Sequence, residues 1–298
     1  MVIRTALALA ILAGSLSPQS TTAGAATPPA SSHPELWEPV WSDEFEGKEL
    51  DRSKWKFETG GHGFGNNELQ FYTDRSDNAH VEGGALVIEA KEEKFQNRSY
   101  TSAKVQSRAS WTYGRFEFRV KLPHGRGVWP ALWMMPEDMK KYGGWPSCGE
   151  IDIVEQLGHD PNHVYGTLHF GNPHKSKGAS VSLKKGSLTD EFHEYVLEWF
   201  PGEIRWSVDG ELYEIQNDWF TNAPGSAWPA PFDRAFYLQF NVAVGGNWPG
   251  NPDASTTWPQ KMVIDYVRVY KAKGENSPRP KGSVKPELPP LKNFEARK

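Results

Sequence analysis

The protein has 298 residues and a formal net charge of −4 at pH 7. This charge argues against nucleic acid as a partner, because nucleic-acid binding requires a basic surface, and it suits a neutral ligand. The chain also contains 13 Trp, 10 Tyr and 15 Phe residues, and such flat rings serve a large core, a sugar-stacking cleft or both.

The N-terminus has the pattern of a secretory signal peptide over residues 1–25. Arg4 supplies the positive charge, residues 6–13 form a short apolar run, and residues 23–25 (AGA) provide a small-residue cleavage site. The apolar run is too short to cross a bilayer, so we expect a secreted protein without a membrane anchor. Cys148 is the only cysteine, which excludes an intramolecular disulfide.

Short strand-like runs bounded by turn residues recur along the chain. Several of them alternate apolar and polar residues with period 2, Asp209-Gly210 is a strong hairpin signal, and helical periodicity of useful length is absent. Many short strands with regular turns indicate an antiparallel sandwich or barrel, so we predict an all-β fold. The predicted strands are residues 85–90, 114–120, 194–200, 203–208, 211–215, 236–244 and 262–270.

We expect one folded domain over residues 36–273, with a flexible segment on each side. Residues 26–35 form a short leader after the signal peptide. Residues 274–298 are rich in Pro and Lys and contain almost nothing to bury, so we expect a disordered tail there.

Three acidic residues occur within six positions, separated by large apolar residues, at Glu150, Asp152 and Glu155. On a regular strand Glu150 and Asp152 share one face, whereas the odd spacing to Glu155 points this third carboxylate into the core. A buried, unpaired carboxylate would cost several kcal/mol or more. We therefore predict a β-bulge at residues 153–154, which returns Glu155 to the face of the other two acids.

The two glutamates are then about 13 Å apart along the strand, and their long side chains can lean together to the ~5–5.5 Å separation of retaining glycosidases. Inverting enzymes need ~6.5–9.5 Å to admit a water molecule. We interpret Glu150 as the nucleophile, Glu155 as the general acid and base, and Asp152 as the partner that orients and couples the charges. The alternative is a solvated acidic face on an edge strand.

Aromatic residues precede the acidic strand at Trp129, Trp133 and Trp145. Tryptophan rings stack on the apolar faces of sugars, so we interpret them as the wall of a carbohydrate cleft; the alternative is that they are core residues. The glycine-rich loop 61–68 fails the spacing of a phosphate-binding loop, because Asn66 occupies the third glycine position. We interpret the loop as a cleft edge and Asn66 as a hydroxyl-binding candidate.

These motifs resemble glycoside hydrolase family 16, within it the bacterial laminarinases, which are endo-β-1,3-glucanases. The most specific is GEIDIVE, because E-x-D-x-x-E marks the bulged branch of the family rather than the E-x-D-x-E of lichenases. The resemblance implies a concave β-jelly roll and retaining endo-hydrolysis of β-1,3-glucan. The matching stretches are residues 41–47, 61–73, 113–135, 145–158, 166–171 and 231–270.

The resemblance also implies roles for individual side chains. It supports the roles given above to the three acids and places Trp129, Trp133 and Trp145 in the subsites that bind the glycone. It further implies that His169 lies near the acid/base and that Trp248 is another cleft residue.

Many members of the family hold a structural Ca²⁺ on the convex face. The corresponding positions here are Glu46, Gly84 and Asp265, and oxygen ligands suit this ion. No cofactor is expected for catalysis.

Two alternatives to a laminarinase remain open. Sister branches of the family hydrolyse other β-glycans, such as lichenan, agar, porphyran and carrageenan. A lectin-like module could use the same cleft to bind glucan without chemistry, although a binding protein has no physical reason to keep the pair of acids. The sequence carries no oligomeric signal, and we expect a monomer.

Overall fold

The computed structural model describes residues 33–274 and 278–297, which form strands and no helix. The predicted signal peptide and most of the predicted leader lie outside the described residues. The eighteen strands are β1 (Trp37–Asp43), β2 (Trp55–Phe57), β3 (Gln70–Tyr72), β4 (Ala79–Glu82), β5 (Ala85–Phe95), β6 (Arg98–Ser102), β7 (Lys104–Trp111), β8 (Gly114–Lys121), β9 (Val128–Pro136), β10 (Glu150–Glu155), β11 (His163–Phe170), β12 (Lys175–Leu183), β13 (His193–Phe200), β14 (Glu203–Val208), β15 (Glu211–Gln216), β16 (Phe236–Val244), β17 (Gln260–Ala272) and β18 (Phe294–Arg297).

The strands form two sheets that pack face to face. The outer sheet has the order β15-β14-β13-β8-β17-β5-β6-β3, with β1 paired to β17 and β4 paired to β5. The inner sheet has the order β18-β12-β11-β10-β9-β16-β7-β2. All pairs are antiparallel except β3 with β6, so the predicted all-β sandwich of the jelly-roll type is confirmed.

Strand β16 shows how the alternation of side chains separates the core from the cleft. Its even-numbered members face the outer sheet and are fully buried, and burial of each contributes about 2 kcal/mol. Its odd-numbered members point to the opposite face of the inner sheet, since successive side chains alternate. The even-numbered members, each with no exposed surface, are Phe236, Leu238, Phe240, Val242 and Val244.

The structure departs from the predicted disordered tail at residues 294–297, which form strand β18. Strand β18 pairs with β12 at the edge of the inner sheet, and Phe294 is fully buried in the common core. Composition misled the prediction because backbone pairing does not depend on side chains, and one aromatic residue is enough to anchor a short strand. Among the described residues, no helix is long and apolar enough to cross a membrane.

Candidate active site

The predicted bulge is present in β10 and is confirmed by the pairing on both sides. Against β9, Asp152 is opposite Trp133 and Val154 is opposite Leu132, so Ile153 is the extra residue. Against β11, three steps along β10 again correspond to two steps on the partner strand. Ile153 and Val154 are both buried, so the bulge keeps two apolar side chains in the core while the acids face the cleft.

Each acid of β10 has a specific polar contact. The indole Nε1 of Trp145 donates to Glu150 Oε2 at 2.7 Å, and that of Trp129 donates to Glu155 Oε1 at 3.1 Å. Asp152 lies between the two glutamates. Its carboxylate contacts the ring of His169 on the neighbouring strand β11.

A histidine pair and the outer sheet complete the surroundings of Asp152. His169 Nε2 is 3.2 Å from Asp152 Oδ2, and His169 Nδ1 is 2.8 Å from His174 Nε2. Trp206, on β14 of the outer sheet, donates from Nε1 to the backbone oxygen of Asp152 at 2.9 Å. This bond crosses the sandwich and fixes the centre of the bulged strand.

Burial raises the pKa of all three carboxyls, and charge repulsion raises the pKa of the two glutamates further. Burial, followed by the charge of Asp152, raises the pKa of Glu150 to about 8. Burial raises the pKa of Asp152 to about 7, and burial together with the Asp152 charge raises the pKa of Glu155 well above its ordinary value. Three acids this close cannot all ionise at neutral pH, so the cleft holds at least one proton.

The cleft has a volume of about 580 Å³ and runs across the inner sheet. The three acids and all the other side chains interpreted above as substrate-binding line it, namely Asn66, Trp129, Trp133, Trp145, His169 and Trp248. The structure therefore brings together residues that are as much as 182 positions apart in the sequence, from Asn66 to Trp248.

The tryptophans of the cleft are not core residues. Trp145 and Trp248 are 50% and 40% exposed, and both stand at the rim. Trp129 contacts Trp248 edge to face, with ring centroids 5.4 Å apart. The Trp133 indole donates to Asn241 Oδ1 at 2.7 Å, which fixes the plane of its ring. The alternative interpretation, plain core tryptophans, is wrong for these positions.

Several cleft residues were missed by the sequence analysis. Period-2 alternation on β11 and β16 could have identified Tyr165, Thr167 and Asn241, because they share the faces of His169 and Ala243. No sequence signal marks His174, which lies in the turn before β12. The other missed lining residues include Phe64, Glu68, Tyr72 and Lys104.

A buried hydrogen-bond chain supports the side of the cleft near Trp133. The Asn241 amide donates to the Tyr72 hydroxyl at 3.1 Å, and that hydroxyl donates to Glu68 Oε2 at 3.2 Å. The ammonium of Lys104 lies 4.7 Å from the centre of the Trp133 ring. Every member of the chain is therefore held in place before any ligand enters.

The three residues named for calcium lie on loops and strands away from the cleft. Glu46 is exposed after β1, Gly84 lies in the turn between β4 and β5, and Asp265 is on β17. Asp265 Oδ2 accepts from Arg119 at 2.6 Å, so a guanidinium already neutralises its carboxylate. This ion pair does not favour a cation there, and calcium binding stays a prediction.

Comparisons with known proteins agree with the geometry of the cleft. The profile of glycosyl hydrolases family 16 matches residues 65–268. A β-glucanase from Rhodothermus marinus is 48% identical over 249 residues, which cover 79% of this chain and 85% of that protein. Glucan endo-1,3-β-glucosidase A1 from Niallia circulans is 42% identical over 257 residues, which cover 78% of this chain and 37% of that longer protein. The catalytic domain of an endo-1,3-β-glucanase (laminarinase) from Thermotoga petrophila matches 80% of this chain and 99% of its own, with a TM-score of 0.72 at 43% identity. The chain belongs to glycosyl hydrolase family 16.

Proposed function

We propose that the protein is a retaining endo-hydrolase of β-1,3-glucan. The observation that carries the proposal is the bulge of β10, which presents Glu150 and Glu155 to one cleft with Asp152 between them. Two carboxyls in a sugar-sized cleft are the machinery of glycoside hydrolysis. The activities of the two glucanase relatives and of the structurally similar laminarinase favour glucan as the substrate.

In this proposal Glu155 is the general acid. Its raised pKa keeps the proton that it gives to the glycosidic oxygen, while the carboxylate of Glu150 attacks the anomeric carbon and displaces the leaving group. Glu155 then removes a proton from water, and this water attacks the glycosyl ester on Glu150. Two inversions at the same carbon return the original configuration.

The partners of each acid fit these roles. The Trp145 indole and His169 both lower the pKa of Glu150, which opposes the effect of burial and favours the ionised form that attack requires. Asp152 raises the pKa of Glu155 through its charge. The same charge raises the pKa of Glu150, so Asp152 favours the retention of a proton by the pair of glutamates.

The aromatic wall fits the proposed substrate. Trp129 and Trp133 project from one strand into the cleft, with half-exposed rings that can stack on the apolar faces of sugars. We assign them to the glycone. The leaving-group part of the glucan then lies on the other side of β10, over β11 and β12.

Reducing-sugar release from laminarin tests the activity, and proton NMR of the first product tests retention. Glu150→Gln and Glu155→Gln should each lose more than ~10³-fold in kcat while they still bind laminarin oligosaccharides. Glu82→Gln, at an exposed position of β4, serves as the matched control. Folded variants with turnover near that of the wild type would refute the assignment.

The competing functions are separated by one set of substrates. A panel of laminarin, lichenan, agarose, porphyran and carrageenan, with determination of the product linkage, distinguishes a laminarinase from its sister branches. A lectin-like module would bind glucan and release no reducing ends from any of them. The pair of acids with raised pKa values favours the enzyme, because a neutral ligand gains nothing from buried carboxylates.

We also propose that the protein is exported after cleavage behind residue 25 and acts as a monomer. The positive start and apolar run of residues 1–25 support export. N-terminal sequencing of the mature protein tests the cleavage, and size-exclusion chromatography tests the monomer.

A further inference from the structure

A single row of side chains crosses the inner sheet and joins Glu155 to the C-terminal strand. Glu155 is opposite Tyr165 on β11, Tyr165 is opposite Ser180 on β12, and Ser180 is opposite Arg297 on β18. Directly opposed residues of an antiparallel ladder point to the same face. Arg297 therefore lies on the face of the sheet that carries the acids.

The position of Phe294 agrees with this orientation, because side chains three residues apart on a strand point to opposite faces. Phe294 is fully buried between the sheets, whereas the other three residues of β18, including Arg297, are exposed. Arg297 Nε donates to Ser182 Oγ at 2.9 Å, and Ser182 is opposite Glu295. Strand β18 thus carries both the buried side chain of Phe294 and, on the face that bears the acids, the guanidinium of Arg297.

The charge of Arg297 acts on Tyr165, the residue of the row that lines the cleft next to Glu155. Burial raises the pKa of Tyr165, and the positive charge of Arg297 partly offsets this rise. Tyr165 itself lines the cleft beside Glu155 and Trp248. From Glu155 to Arg297 the row spans three strand spacings, or about 14 Å, a length that accommodates a few sugar rings.

We propose that Arg297 binds the leaving-group end of the glucan chain and extends the cleft across Ser180. The inference rests on the proposed function, since an endo-hydrolase must hold polymer on both sides of the cleaved bond. Tyr165 offers a ring for stacking, and the guanidinium offers several N–H donors to sugar hydroxyls. Both described polar contacts of Arg297 involve Nε, so the two terminal nitrogens are available to donate to a ligand.

This surface is a feature of the chain beyond the part that defines its family. The family profile ends at residue 268, and β18 begins at Phe294. The C-terminal segment therefore contributes a strand to the sheet that carries the site, with a cationic side chain on the face of that sheet that bears the acids.

Laminarin oligosaccharides of increasing length test the proposal in the full-length protein. Arg297→Ala should lower kcat/KM for polymer about fivefold to tenfold, which corresponds to one lost hydrogen bond, and the loss should grow with the number of leaving-group sugars. Arg297→Lys should restore part of it. Arg119→Ala is the matched control, because Arg119 is similarly exposed and ion-paired on the outer sheet.

The outcomes separate the inference from the proposed function. If the wild type releases no sugar from laminarin, the proposed function fails. If the wild type is active and Arg297→Ala matches Arg119→Ala at every substrate length, only the inference is overturned. A loss that is equal for all lengths and accompanied by a lower Tm would show a merely structural role, and it would overturn the inference as well.

Discussion

Glu155 lies opposite Tyr165 on the neighbouring strand, a position that uninterrupted pairing from Asp152 would give to Val154. The extra residue in β10 therefore decides which face the second glutamate occupies. Because Ile153 and Val154 are both buried, the bulge costs the core nothing and gives the cleft its second acid.

Deletion of Val154 tests this relationship. The remaining strand, Glu150-Ile151-Asp152-Ile153-Glu155, has even spacing between its acids, so Glu155 stays on the cleft face without a bulge. We expect a folded enzyme with kcat reduced about 10²-fold, since a displacement of ~1 Å in a catalytic group has that effect. The measurement is kcat on laminarin.

Two further variants control for this deletion. Val154→Ala keeps the bulge, so it should lower Tm and leave kcat near the wild-type value. Adding Glu155→Gln to the deletion should abolish its residual activity. If the deletion variant is no more active than this double variant, Glu155 does not face the cleft in the shortened strand.

The pair His169 and His174 supports a second prediction. His174→Phe keeps an aromatic ring against Trp145, whose centroid is 5.0 Å from that of His174, and removes the nitrogen that contacts His169. His169 then loses the partner that sets its orientation towards Asp152. We expect kcat to fall about tenfold, a small part of the ~10²–10⁴-fold effect of acid–base groups, with little change in KM.

His174→Gln provides the conservative comparison, because an amide can still hydrogen-bond to His169 Nδ1. It should recover part of the lost kcat. Equal losses in both variants, or a loss confined to KM, would mean that His174 contacts substrate rather than positioning His169.

The placement of the three acids on one face could be predicted from the sequence because it depends only on local geometry. Odd spacing between Glu150 and Glu155 forces either a buried charge or a bulge, and the buried charge is too costly. The pairing of Tyr165 with Glu155 and of Ser180 with Tyr165 could not be predicted. It depends on which strands are neighbours, and hairpin signals do not specify the order of strands in a sheet.

The C-terminal strand shows a second limit of sequence analysis. The mean composition of residues 274–298 indicates disorder. Strand β18 nevertheless forms, because Phe294 is buried and the backbone pairs with β12. An average over 25 residues hides a single anchor. The prediction failed at this strand because the sequence does not show that β12 is its neighbour.

The raised pKa of Glu150 predicts how stability depends on pH. The folded protein holds this proton to about pH 8, whereas the ordinary value is 4.5. The contribution of this carboxyl to the free energy of unfolding is therefore fully present below about pH 4.5, and it is lost as the pH rises through about 8. Glu150→Gln has no proton to lose, so it should be more stable than the wild type at alkaline pH, by a few kcal/mol at most.

Thermal unfolding of both proteins at about pH 4 and about pH 9 measures this difference. The two Tm values should be similar at the acidic pH and diverge at the alkaline pH. Glu82→Gln, at an exposed site, should follow the wild type throughout. A wild type that remains as stable as Glu150→Gln at alkaline pH would contradict the burial of this carboxyl.

The anchoring of β18 supports the last prediction. Phe294→Ala removes a fully buried ring from the core, and such truncations cost about 3–5 kcal/mol, so Tm should fall by several degrees. Val284→Ala, in the same segment but 98% exposed, should leave Tm unchanged. Calorimetry of both variants decides between an anchored strand and the disordered tail that composition predicts, because in a disordered tail neither substitution would have any effect.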